Sequence, residues 1–217
     1  MLISTESISL NYVKYSETSI IVKCFTKSDG LKSYLIKGIR SSKKKSLNIG
    51  LFQPLTILEI DANHKNKGNL ESIRSAKISN SYKTIHIDMF KNSIVLFLSE
   101  VLAKSIKEEE KNIELFEFVK KSMIWLDNSE KFSNFHIQFL VKLLSFLGIS
   151  PEKTEKTMNG FNMIDGVFCE YDQSEFCING ELVDYFKSFL GTEFDDVVGE
   201  VNTSNKRKEL IEFLIKY

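Results

Sequence analysis

Several residue types are scarce in this chain of 217 residues, and each scarcity excludes a class of protein. Two prolines and ten glycines are too few for a disordered proline-rich chain or a collagen-like repeat. Three cysteines, an odd number, do not suggest the disulfide framework of a small secreted domain. The longest apolar run, residues 94–98, is far shorter than the roughly 18 residues that cross a bilayer. Because the sequence opens without a signal-peptide pattern, we expect a cytoplasmic protein with free thiols.

Charge of one sign is not in excess either, since 29 Lys and Arg balance 29 Asp and Glu. A zero total would argue against a nucleic-acid-binding protein, which usually carries a basic excess. The charges are unevenly spread, however: residues 1–84 contain 14 basic and 6 acidic residues, a net charge of +8, and the remainder carries −8. Such asymmetry indicates a basic interaction module joined to an acidic one.

The first 80 residues follow the pattern of short β-strands. Residues 19–25 are β-branched and apolar, and the turn sequence Asp29-Gly30 separates them from a second apolar stretch, residues 31–38. Together these stretches predict a hairpin. Three further stretches also predict strands: residues 7–13, 51–60 and 70–78. Five short strands without a helical period predict a small closed barrel or a sandwich.

From residue 90 the apolar period becomes helical and predicts three amphipathic helices that can cover one another as a bundle. A small hairpin is predicted near residues 160–180, before two short helices that end the chain. We therefore predict an α+β fold with two domains, residues 1–80 and 81–217. The second domain is expected to be helical, with the hairpin as an insert.

The loop at residues 37–45 (KGIRSSKKK) is the most distinctive local feature. Its five cations lie within nine residues: Lys37, Arg40, Lys43, Lys44 and Lys45. Such a loop suits a row of phosphates, from which it would release counterions. The alternative is a solvated lysine loop that only aids solubility. The sequence leaves both interpretations open.

Strand alternation divides residues 19–25 into two faces. One face is apolar and is expected to line the core: Ile20, Val22 and Cys24. The other carries a cation, Lys23, and an aromatic ring, Phe25, which suit single-stranded nucleic acid and make Lys23 a candidate DNA-binding residue. Alternatively, Phe25 packs under the second domain, and Tyr34 is open to the same two interpretations.

Known catalytic patterns are missing from the chain. There is no Walker A loop, no glycine-rich dinucleotide turn, no nucleophile elbow and no HExxH, so we predict a protein that is not an enzyme. Cys169 and Cys177 stand eight residues apart without the second cysteine pair that a structural zinc site usually has. We expect no metal ligands, and two small apolar residues facing each other across the hairpin.

The order of these features resembles the RecO family of bacterial recombination mediators. The resemblance rests on four stretches: residues 15–22 (YSETSIIV), 30–40 (GLKSYLIKGIR), 51–55 (LFQPL) and 96–102 (LFLSEVL). The pattern YxExS before a strand, and KGxR at the end of a later one, are typical of that family. Each motif is loose, but their order and spacing are distinctive, and the resemblance extends over nearly the whole chain.

This resemblance implies an oligonucleotide/oligosaccharide-binding (OB) barrel followed by a helical domain. Proteins of this kind bind single- and double-stranded DNA, anneal complementary strands, engage RecR and the C-terminal tail of SSB, and help to load RecA. Carried onto this sequence, the DNA-binding residues would be Lys32, Lys37, Arg40 and Lys43 to Lys45. From charge alone, three lysines of the helical domain are candidates for the acidic SSB tail: Lys120, Lys121 and Lys142.

Many members of the family carry a four-cysteine zinc motif in the late segment, where this sequence keeps only Cys169 and Cys177. We therefore expect no zinc, and DNA binding without a cofactor. A competing function is a protein-interaction adaptor that binds an acidic peptide tail and no DNA. A magnesium nuclease is a third, and it would need convergent carboxylates.

Overall fold

A computed structural model describes residues 1–40, 47–65, 70–107, 110–151, 158–170, 176–198 and 203–217. Contacts divide the chain into two compact units, Met1–Ser129 and Glu130–Tyr217. Among the described residues, the first unit contains a five-stranded sheet, two α-helices and a short 3-10 helix. The second contains three helices and a three-stranded sheet.

The N-terminal sheet is antiparallel, with its strands in the order β3-β2-β1-β4-β5. The strands are β1 (Leu2–Lys14), β2 (Ile20–Thr26), β3 (Gly30–Ile36), β4 (Ile57–Asn63) and β5 (Ser72–Asn80). The hairpin predicted at Asp29-Gly30 joins β2 and β3, and Gly30 has a φ of 65°, which glycine adopts without steric cost. The predicted α+β class and the five N-terminal strands are confirmed.

The sheet is not a closed barrel, which corrects the closed barrel predicted from the sequence. Its edge strands β3 and β5 approach each other at one parallel bridge, between Tyr34 and Glu71. Two hydrogen bonds make this bridge, from Leu35 N–H to Glu71 O and from Glu71 N–H to Ser33 O, both 2.9 Å. A closed barrel needs a ladder along both edges. Here the described residues supply one bridge, just before β5 begins.

The predicted inward face of β2 is confirmed. Ile20, Val22 and Cys24 are at most 1% exposed and belong to the core cluster of the sheet. Tyr34 lies in the same cluster, because the β2–β3 register places it opposite Val22. Its hydroxyl lies 2.7 Å from His64 Nε2, within hydrogen-bond distance. Tyr34 is therefore a core residue rather than a stacking platform.

The stretch predicted as one strand at residues 51–60 is split. A short 3-10 helix (Ile49–Phe52) comes first, and β4 begins only at Ile57. Pro54 lacks the N–H that a ladder needs, and Leu55 has a φ of 55°, which breaks the extended conformation. Leu55 is nevertheless buried, and its N–H donates to Ser9 O at 2.7 Å.

Two helices complete the first unit, α1 (Met89–Ser105) and α2 (Ile113–Asn128), as the first two apolar stripes predicted. Asp88 caps α1 by accepting from the N–H groups of Phe90 and Lys91. Asn112 caps α2 by accepting from Leu115 N–H. Ser99 donates to Leu10 O at 2.6 Å, so α1 lies directly against β1.

A buried carboxylate fixes the segment between the sheet and α1. Asp127, near the end of α2, accepts hydrogen bonds from the N–H groups of Lys83, Thr84 and Ile85 at 2.8–3.1 Å. Lys91 Nζ donates to Thr84 Oγ1 and to the Asp127 backbone carbonyl. Burial by itself would raise the pKa of Asp127, but these backbone hydrogen bonds lower it below the ordinary value.

The second unit contains α3 (Phe135–Phe146), β6 (Gly160–Asn162), β7 (Val167–Cys169), β8 (Cys177–Asn179), α4 (Glu181–Phe189) and α5 (Ser204–Lys216). Strands β6 and β7 form the predicted hairpin, and β8 pairs with the other edge of β6. Aromatic rings pack this sheet against the helices, with Phe161 in ring contact with Phe186 and Phe213.

The strands of the first unit end at Asn80, but α1 and α2 pack with them in one compact unit. The domain boundary predicted between residues 80 and 81 stays a prediction.

Candidate nucleic-acid interface

The outer face of β2, one of the predicted nucleic-acid surfaces, is covered by helices of the same unit. Phe25 is 1% exposed, and its ring centre lies 5.8 Å from that of Phe116 on α2. Lys23 Nζ donates to the carbonyl of Ala103, in the last turn of α1, at 2.8 Å. The alternative placed Phe25 under the predicted second domain, residues 81–217, and α2 of that range does cover it. Lys23 lies at the helix contact, where its ammonium group complements the negative end of α1.

Lys32, the next predicted DNA-binding residue, is only 8% exposed. The register pairs it with Cys24, so it lies on the inward side of the sheet. Burial of a lysine requires compensation within the protein, and phosphates cannot reach a side chain in that position without rearrangement. The structure therefore does not bring Lys23 and Lys32 to one accessible surface.

Lys37 and Arg40, in contrast, are exposed immediately after β3. Between them, Gly38 has a φ of 67° and Ile39 joins the core cluster, so the chain turns there and is anchored. The N–H of Arg40 donates to Thr18 O at 3.2 Å, which fixes this turn against the β1–β2 connection. Lys43, Lys44 and Lys45 lie outside the described residues.

The β1–β2 connection adds a cation that sequence reasoning missed. Lys14 is exposed at the end of β1, and the neighbouring turn contacts Arg40 through Thr18. Tyr12 and Tyr15 flank Lys14 and are also exposed. In the sequence, residues 15–18 contribute only to a family pattern. The sequence signal was a lysine between two tyrosines next to a turn, which suits a nucleic-acid surface.

The lysines proposed for the acidic SSB tail are in different situations. Lys120 Nζ lies 2.6 Å from Glu6 Oε1, and Lys27 Nζ lies 2.7 Å from Glu117 Oε1, so these pairs join the sheet to α2. The hydrogen bond from Lys27 lowers the pKa of Glu117 and raises that of Lys27 itself.

Two candidates of the helical region remain. Lys121 is exposed. In the second unit, Lys142 Nζ lies 2.9 Å from Glu193 Oε1 and also over the ring of Phe194. Of the three lysines, Lys121 is therefore the most accessible to a partner.

The two late cysteines lie side by side. Cys169 Sγ and Cys177 Sγ lie 3.6 Å apart as free thiols. Within the described ranges, no three His, Cys, Asp or Glu side chains lie together where they could hold a metal ion. A structural zinc site needs four ligands, and this pair of thiols is half of that number. Burial and the charge of Arg207 lower the pKa of His136 to about 4, which keeps that imidazole neutral.

Hydropathy adds one finding about membranes. Over the part of the chain that the structure describes, no helix combines the length and apolar character needed to cross a bilayer.

Comparison with known proteins covers the whole chain. Residues 1–82 match the family described as "Recombination protein O N terminal", and residues 86–217 match "Recombination protein O C terminal". The N-terminal match agrees with an OB-type fold for the five-stranded sheet.

Curated relatives of the chain carry the name of the same family. The chain is 40% identical to a DNA repair protein RecO of Christiangramia forsetii and 42% identical to one of Flavobacterium psychrophilum. Both alignments span 217 residues, which is 100% of this chain and 91% of each relative. A third RecO protein, of Flavobacterium johnsoniae, is 44% identical over 196 residues, or 90% of this chain and 82% of the relative.

Proposed function

This chain belongs to the RecO family of DNA repair proteins, and from that premise we propose that its N-terminal unit binds single- and double-stranded DNA. The family's role is recombinational repair, in which its members act as mediators. By neutralising the phosphates of two strands, the basic surface would allow complementary strands to pair. Binding and annealing would then precede the loading of RecA onto DNA coated by SSB.

The observation that carries this proposal is the cluster of exposed cations at one end of the sheet. Lys37 and Arg40 follow β3, and the Arg40 N–H bond to Thr18 holds them next to the turn that follows Lys14. The predicted loop cations, Lys43 to Lys45, continue directly from Arg40 in the sequence. Lys23 and Lys32 are left out of the proposed surface, because one is bonded to α1 and the other is buried.

A salt titration of oligonucleotide binding tests the proposal. Fluorescence anisotropy of a labelled single strand, started at about 50 mM salt, should give a log–log slope of roughly −3 to −4, as expected for about four to six phosphates. The double variant Lys37→Ala/Arg40→Ala should weaken binding and flatten the slope by about 0.7 per lost contact.

Lys104→Ala is a matched control, because Lys104 is an exposed cation of the same unit that pairs with Glu100 on α1. It should leave the slope unchanged. Absence of any DNA binding by the wild-type protein would contradict the proposal and favour the adaptor that binds only an acidic peptide.

Protein partners form the second part of the proposal. RecR, the acidic C-terminal tail of SSB and, indirectly, RecA are the partners that we propose, and Lys121 is the most accessible of the candidate contacts for the tail. Annealing of complementary strands coated with SSB by the purified protein would test this part. Annealing of bare strands without annealing of coated strands would contradict the SSB contact.

We further propose that the protein acts without a catalytic step and without zinc, in the cytoplasm and in association with the nucleoid. The cysteine pair supports the proposed absence of zinc, because two thiols are only half of a four-ligand site. Metal analysis of the purified chain should give much less than one zinc per molecule. A stoichiometric zinc ion would contradict this proposal and leave the DNA-binding proposal standing.

A further inference from the structure

The end of the β1–β2 hairpin projects beyond the rest of the sheet. Strand β1 pairs with β4 from Leu2 to Ile8, and from Asn11 to Lys14 its described partner is β2. All eight residues from 11 to 18 are exposed. This part of the sheet is therefore a two-stranded ribbon, and ligands can reach its β1 strand from the side that β4 leaves open.

Two tyrosine rings of this ribbon are partly open to solvent, Tyr15 more than Tyr12. Tyr12 is 37% exposed and Tyr15 is 60% exposed. A tyrosine in such a position offers a flat apolar face together with a polar tip.

Hydrogen bonds hold the turn that carries Tyr15. The N–H groups of Tyr15 and Ser16 both donate to Ser19 O, at 3.0 and 3.2 Å. In return, Ser19 N–H donates to Ser16 Oγ at 3.2 Å. A turn fixed in this way loses little conformational entropy when a ligand stacks on it.

The charged residues near the two rings indicate which kind of ligand the ribbon binds. Tyr12 and Lys14 lie two residues apart on β1 and therefore on one face, and the Arg40–Thr18 hydrogen bond places the turn of Arg40 against the same ribbon. Three exposed cations, Lys14, Lys37 and Arg40, accompany one exposed acid, Glu17, in residues 11–18 and 37–40. Aromatic rings beside cations are the features that bind an unpaired nucleotide strand, because bases stack on the rings and phosphates contact the cations.

We propose that Tyr12 and Tyr15 stack on unpaired bases while Lys14, Lys37 and Arg40 contact the phosphates of the same strand. This inference rests on the proposed DNA-binding function and adds the reason for a preference between strands. Duplex DNA keeps its bases inside the helix, so it gains only the phosphate contacts. The ribbon therefore favours single-stranded over double-stranded DNA.

Abasic oligonucleotides separate stacking from phosphate binding, because they keep the phosphates and lack the bases. The experiment measures the anisotropy of three labelled probes: oligo(dT), an abasic oligonucleotide of equal length, and a duplex. It compares the wild-type protein with Tyr15→Leu, Tyr12→Leu and Tyr15→Phe. Leucine keeps an apolar side chain without a ring, and phenylalanine keeps the ring.

Each leucine variant should weaken oligo(dT) binding roughly tenfold, toward the lower end of the range for one base stacked on one ring. Binding to the abasic strand and to the duplex should stay unchanged, and Tyr15→Phe should bind like the wild type. Val13→Ala is the matched control, since Val13 is an exposed apolar residue on the opposite face of the same strand. It should change no affinity.

The failures are distinguishable. If the wild-type protein binds none of the probes, the proposed DNA-binding function itself fails. If the wild type binds and the leucine variants bind oligo(dT) equally well, stacking is overturned while DNA binding stands. If the leucine variants lose abasic and dT binding equally, with unchanged thermal unfolding, the rings only position the cations and stacking is again overturned.

Discussion

Two groups of cations in the N-terminal unit show that the same residue types serve different purposes. Lys23 and Lys120 reach from one element to another and bond to Ala103 O and to Glu6. Lys14, Lys37 and Arg40 extend into solvent at the far end of the β1–β2 hairpin. This difference between bonded and exposed cations shows that the net charge of +8 in residues 1–84 overstates the charge available to DNA. Part of that charge holds the helices against the sheet.

The buried carboxylate of Asp127 should give the largest effect on stability. The change Asp127→Ala removes the side-chain acceptor of three backbone N–H groups, those of Lys83, Thr84 and Ile85. We expect a loss of about 3 kcal/mol in the free energy of unfolding. Urea denaturation measures it, and Lys14→Ala, at the exposed end, should leave the urea midpoint unchanged. Equal effects of the two changes would contradict the distinction between covered and exposed residues.

Lys23 should give the next largest effect. The change Lys23→Met keeps the apolar stem and removes the bond to the carbonyl of Ala103, so we expect a loss of about 1.5 kcal/mol in stability. Affinity for DNA should not change. Thermal unfolding and anisotropy measured on the same preparation test both expectations. Weaker DNA binding at unchanged stability would contradict this assignment and make Lys23 a DNA-binding residue like Lys37 and Arg40.

Acid should remove part of the stability that Asp127 supplies. The pKa of Asp127 is lower in the folded protein than its ordinary value, so its contribution is complete above the unfolded pKa of about 4 and is lost as the pH falls through the folded pKa. Urea midpoints measured from neutral pH to below pH 4 should fall less steeply for Asp127→Asn than for the wild type. Parallel curves would show that the carboxylate is not stabilised by its hydrogen bonds.

The smallest effect is expected at Lys120. Its pair with Glu6 is partly exposed, and such pairs contribute about 0.5 kcal/mol. Lys120→Ala should therefore lower the free energy of unfolding slightly, and the effect should shrink in high salt. The neighbouring Lys121→Ala is the control and should change nothing, because that side chain is exposed on α2. A larger loss of stability for Lys121→Ala than for Lys120→Ala would contradict the assignment of Lys120 as the paired lysine.

Local patterns predicted much of this fold. Strand alternation placed Ile20, Val22 and Cys24 in the core, and Asp29-Gly30 marked the hairpin, because both signals act over a few residues. The burial of Phe25 stayed undecided, since it depends on helices that come about 90 residues later in the sequence. The same distance hid the bond of Lys23 to Ala103.

The candidate site was only partly predictable for a related reason. Lys37 and Arg40 could be identified because a charged loop after a strand tends to be exposed. Alternation alone would bury Tyr12 with Ile8 and Leu10, which are 0% exposed, whereas Tyr12 is 37% exposed. Its exposure follows from the length of β1, which continues six residues past its last pairing with β4.

The salt dependence of single-strand binding tests the central claim most directly, when it is measured side by side on the wild type, Lys37→Ala/Arg40→Ala and Lys23→Met. The exposed cations should carry the phosphate contacts, so the double variant should bind more weakly with a slope flatter by about 0.7 per lost contact. Lys23→Met should reproduce the wild-type slope. A flattened slope for Lys23→Met together with a wild-type slope for the double variant would contradict the claim and place the DNA on the face of β2 that the helices cover.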